Sequence, residues 1–126
     1  MANVLLTETW RAGGVIRQFR GVTLGSADDT VVEISTLGTG KFIGICQEIA
    51  DANDVTIGKR VVAVQTHGVS KAVAGAAITR GDSVACDAQG RVITAIATYN
   101  VIGVARQSVT TAGDILDVDI APGGIF

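Results

Sequence analysis

Apolar and polar residues alternate in short runs along most of the chain. From Val15 onward, "VIRQFRGVTL", "TVVEIS", "KFIGICQ", "RVVAVQT", "VSKAVA", "DSVAC", "RVITAI", "NVIGVAR" and "ILDVDI" each show the two-residue period or short apolar run of a β-strand. In the last of these the period predicts Leu116, Val118 and Ile120 facing inward and Asp117 and Asp119 facing solvent. The connectors carry turn-forming residues: "GSADD" at Gly25, "GTGK" at Gly38, "DAND" at Asp51, "THG" at Thr66, "DAQG" at Asp87 and "TTAG" at Thr110. No long amphipathic helix is left over; "QEIADAND" has room for one helical turn with Ile49 and Ala52 as its core positions. This many short strands predicts an all-β fold, a single compact β-sandwich or barrel-like domain. Residues 1–14, "MANVLLTETWRAGG", show no clean period and end in a glycine pair. They are expected to form an extended N-terminal arm that docks on another surface, ahead of a β-rich body over residues 15–126.

Composition supports the strands. Valine (17), isoleucine (13) and threonine (13) make up about a third of the 126 residues, against 5 leucines and 1 methionine, so the apolar content is the β-branched kind that suits pleated sheets. Sixteen glycines beside one proline read as many tight corners, not as a disordered linker. Only 17% of residues are charged, which is little for a small solitary domain and predicts surface covered by a partner. The net charge of -2 argues against a nucleic-acid partner. No run has the length of a membrane span, and the N-terminus lacks the basic start and apolar length of a secretory signal, so synthesis in the cytoplasm is expected.

Motifs for chemistry are missing. His67 is the one histidine, no CxxC or HxxxH spacing occurs, and no metal site is expected. Cys46 and Cys86 lie in apolar strand-like runs and read as reduced, buried thiols. "GTGK" lacks the spacing of a phosphate-binding loop, and no catalytic residues or cofactors are assigned. An internal echo links "FIGICQ" at Phe42 to "VIGVAR" at Val101, where the glycine removes a side chain at a crowded or bent point. Basic residues gather early, as Arg11, Arg17 and Arg20, while three aspartates and no basic residue follow Arg106. That asymmetry fits either a basic arm meeting an acidic patch or ordinary solvated charge.

The segment "ITRGDSVACDAQGRVI" contains an Arg-Gly-Asp-Ser string but reads as turn, strand, turn, strand. Gly81 and Asp82 make the corner into the first strand. Asp87 and Gly90 take the first and fourth positions of a type I turn, with Val84 and Cys86 set against Val92 and Thr94.

The block "AGAAITRGDSVACDAQGRV", Ala74 to Val92, with "YNVIGVARQSVTTAGDILDVDIAP" after it, resembles the capsid cement, or head decoration, proteins of tailed bacteriophages. The resemblance implies a β-rich domain, commonly a homotrimer, on the outer surface of the expanded capsid, with the major capsid protein as partner. Cement function needs no catalytic group. It needs a rigid β body and an arm able to add hydrogen bonds to a neighbouring sheet edge. Residues 2–20 are the expected contact segment, with Trp10 as aromatic anchor and Arg11, Arg17 and Arg20 as polar partners. The competing expectations are a head-fibre or receptor- or glycan-binding β module, an adhesin using Arg80, Gly81 and Asp82, and a small β-barrel enzyme using Cys86 or the aspartates.

Overall fold

A computed structural model describes residues 4–51 and 61–125. Among them, nine strands run in chain order: β1 (Val4–Ala12), β2 (Gly21–Leu24), β3 (Thr30–Glu33), β4 (Gly44–Cys46), β5 (Val61–Val73), β6 (Ser83–Cys86), β7 (Val92–Thr94), β8 (Asn100–Ala105) and β9 (Ile115–Ile125). The fold is all-β. The sheet order is β1-β3-β2-β4-β5-β9-β8-β6-β7, and β1 also pairs with β5. That extra pairing closes β1, β3, β2, β4 and β5 into a ring, so the first half of the chain is barrel-like. The contact of β1 with β3 is parallel, and the other pairings are antiparallel.

Each half has its own core. Ala12, Ile16, Val22, Val31, Cys46 and Val62 are among the residues that fill the ring, with Trp10 packed against them. Ile34, Ile45, Val84, Ile102, Leu116 and Val118 belong to the second core, which lies under β9, β8 and β6. In β9 Leu116, Val118 and Ile120 are buried, while Ile115 is exposed and the two aspartates are half-buried. β4 is buried on both faces, so its successive residues Ile45 and Cys46 enter different cores.

β5 joins the halves. Val61 to Gly68 pair with β1, and Gly68 to Val73 pair with β9. The expected turn at "THG" is instead a bulge inside this one long strand, so "RVVAVQT" and "VSKAVA" are not separate strands. Gly68 has φ +93, and the register against β1 shifts opposite it, between Val4, Leu6 and Thr7. A glycine with positive φ is what such a bulge requires. The buried Gln65 amide spans the irregularity by donating to His67 O at 3.1 Å and Val69 O at 2.8 Å.

Three other expectations shift. Only Gly21–Leu24 of "VIRQFRGVTL" is strand; the preceding residues form an irregular crossing held by the Ile16–Ala50 bridge and by Phe19 at φ 61. The described part of "QEIADAND", through Asp51, has no helical turn, and the buried residue there is Ala50, not Ile49. "DAND" beyond Asp51 lies outside the described residues. The segment expected as an arm runs from Val4 as β1 and docks on the chain's own β5, with Ala12 in the ring's core. Its period was obscured because Thr7, Glu8 and Thr9 are all exposed, so neither face of the strand is covered there.

Candidate contact surface

The hairpin formed by β6 and β7 pairs Val84 with Thr94, Ala85 with Ile93 and Cys86 with Val92. Its turn is built by Asp87. One carboxylate oxygen, Oδ1, accepts from Gln89 N at 2.8 Å and Arg91 N at 2.9 Å, and Oδ2 accepts from Arg91 Nε at 3.0 Å. Gly90 closes the turn at φ +74. At the other end Gly81 has φ +93 in open space, and Asp82 Oδ2 accepts from Thr79 N and the Thr94 hydroxyl. Arg80 and Gly81 are exposed, yet the Asp82 carboxylate is turned back into its own hairpin. The tripeptide is therefore a corner whose acid is already in use.

The hairpin tip docks on the ring. Gly21 N donates to Gly90 O at 2.7 Å, and a Cβ on Gly90 would come within 3.0 Å of Gly21 O and 3.2 Å of Arg20 Cβ. Around this contact lie Arg17, Arg20 and Arg91 with Glu33 and Asp87. Arg17 makes a bidentate pair with Glu33, whose carboxylate also accepts from Arg17 N at 3.0 Å. Arg20 donates from Nη1 to Gln89 O at 2.9 Å, and its Nε is buried without a partner among the described residues. Burial, and next the neighbouring charge of Arg17, lower the Arg20 pKa; the Glu33 hydrogen bond raises that of Arg17.

The other candidates sit elsewhere. Arg11 forms a bidentate pair with Asp29, which raises the Arg11 pKa and lowers that of Asp29 and ties the end of β1 to the turn before β3. Trp10 is half-buried on the ring's core, and its indole N–H has no partner among the described residues. The structure thus joins Arg17 and Arg20 at the hairpin tip, while Arg11 pairs at a different turn.

Exposed apolar residues were not singled out from the sequence. Leu37 is 50% exposed and Ile96 56% exposed. They flank a contact in which the Tyr99 ring packs on Gly38, while Asn100 N donates to Gly38 O. Leu37 stands as an apolar residue beside the "GTGK" turn, while Ile96 ends the run "RVITAI", whose strand stops at Thr94.

For chemistry, Cys46 and Cys86 are both buried, and burial pushes the Cys86 thiol up to about 12, with the charge of Asp87 adding to it. Such a thiol stays protonated and is a poor nucleophile. Among the described residues no group of three or more His, Cys, Asp or Glu is placed to hold a metal ion.

The family model described as phage cement protein matches residues 3–120. The chain belongs to this family. It is similar in fold to the chain described as head fiber gp8.5 N base in bacteriophage phi29, with a TM-score of 0.70 and 17% identity, covering 92% of this chain and 93% of that one. No curated protein matches. The cement-family match extends through β1 and the ring as well as the hairpin and the last strands, well beyond the blocks from which the resemblance was read.

Proposed function

We propose that this cement-family chain is a virion protein that binds the outer surface of the expanded capsid, contacts the major capsid protein and fastens neighbouring capsomers, acting as a homotrimer. The observation that carries the reading is the state of β1. Thr7, Glu8 and Thr9 are exposed in succession, so both faces of the strand are open. One edge of β1 pairs with β5, and β3 reaches only Arg11 and Ala12 on β1, leaving the edge from Val4 to Thr9 without a further partner among the described residues. A strand with open faces and an open edge is suited to receive a strand or arm of another protein. Trp10 and Arg11 at the end of β1, and Arg17 and Arg20 at the hairpin tip, are the aromatic and basic residues of the proposed contact. Three linked copies would turn such modest contacts into firm attachment.

The test is binding of purified protein to expanded, DNA-free heads, followed by heat or osmotic challenge. Bound protein should raise the survival of the heads; failure to bind, or binding without added resistance, rejects the reading. A second reading, a head-fibre module, takes support from the fold shared with the phi29 head-fibre base. Projecting fibres lost from virions when the chain is deleted, with shell resistance unchanged, would favour it.

A further inference from the structure

Three arginines meet at the hairpin tip with two carboxylates, and both carboxylates are engaged by other groups. Glu33 takes the Arg17 fork and the Arg17 backbone amide. Asp87 takes Arg91 Nε and the amides of Gln89 and Arg91. Arg20 is left with one carbonyl, Gln89 O, which Arg17 Nη2 also approaches at 3.5 Å. The side chain is half-buried, its Nη2 makes no hydrogen bond among the described residues, and Glu33 and Asp87 act on its charge only through space, with no ion pair to either among those residues.

A guanidinium held against a rigid turn, partly desolvated and short of an acceptor, is preorganised for a carboxylate. The net charge of -2 argues against a polyanion, whose binding draws on broad positive charge. The geometry points to a notch between Arg20 and the Gln89–Gly90 tip that receives an acidic side chain of the shell protein. This rests on the capsid-binding reading and sharpens it, because it separates Arg20 from Arg11 and Arg17, whose forks are filled within the chain.

The notch fixes the test. Arg20→Gln, Arg20→Lys and, as a control of equal charge change, Arg106→Gln, which follows β8 beside the Asp82 end of the hairpin, are compared with the unaltered protein for affinity to expanded heads, with unfolding midpoints measured alongside. Arg20→Gln should weaken binding about tenfold or more, while Arg106→Gln stays within about twofold. Arg20→Lys, which keeps the charge and loses the fork, should fall between them. Affinity of the unaltered protein should also drop as salt rises from about 0.05 to 0.5 M.

A folded Arg20 variant that binds like the unaltered protein overturns the notch and leaves the capsid reading standing. Salt-independent binding does the same without any variant. Unaltered protein that ignores heads altogether overturns both.

Discussion

At the scale of single residues, the glycines of the internal echo show how little room the fold leaves. A Cβ on Gly103 would lie 2.1 Å from Asp119 O, and one on Gly44 would lie 2.5 Å from Gln65 O, so in each case a backbone oxygen stands in the way. The crowded point expected from the sequence is present at both positions. Gly103→Ala should cost about 3 kcal/mol, since the β8–β9 ladder has to separate to admit the methyl group. Gly81→Ala is the comparison: the position is open, and φ +93 is its only obstacle. A cost of about 1–2 kcal/mol is expected there. Urea unfolding of the two variants decides the order, and a Gly103→Ala protein more stable than Gly81→Ala would mean that the strands give way easily.

At the scale of elements, the β6–β7 hairpin was legible because its ends carry residues with specific turn roles. Asp87 and Gly90 fix the turn, the turn fixes the register, and Val84 opposite Thr94 follows. Burial was less legible: Ala85 is as fully buried as Val84, because β6 is covered on both faces and alternation carries no information there. The same physics hid β1, in the opposite sense, since Thr7 to Thr9 are exposed on both faces. β5 was divided in two because a glycine in a bulge and a glycine in a turn look alike until the pairing is known. Of the candidate contacts, the sequence offered Arg11, Arg17 and Arg20 as equals; it could not show that Asp29 and Glu33, distant in sequence, fill two of the three forks. The hairpin also supplies a stability test. Asp87→Ala strips the acceptor from the amides of Gln89 and Arg91 and leaves the Arg91 side chain without its acid. A loss of about 2–3 kcal/mol is expected, read as a lower midpoint in urea; a loss below about 0.5 kcal/mol would mean that water replaces the carboxylate without penalty.

At the scale of the whole molecule, the architecture leaves part of one strand edge open among the described residues. Closing five strands into a ring removes sheet edges from the first half, and the hairpin tip packed on Gly21 braces the ring from outside. Against that background, the edge of β1 between Val4 and Thr9 stands out as backbone with no further partner among the described residues. If a capsid strand or arm adds there, amides of β1 that point away from β5 should exchange quickly in the free protein and slow by about tenfold or more on heads. Amides in the centre of β5, which pair on β1, β4 and β9, should be slow in both states and serve as the internal reference. Head-bound protein whose β1 exchange is unchanged, with attachment intact, would move the contact off the strand. Protection appearing instead around Leu37 and Ile96 would transfer it to the apolar tip beside Tyr99, where an attachment made by side chains would leave the β1 edge free for a neighbouring copy.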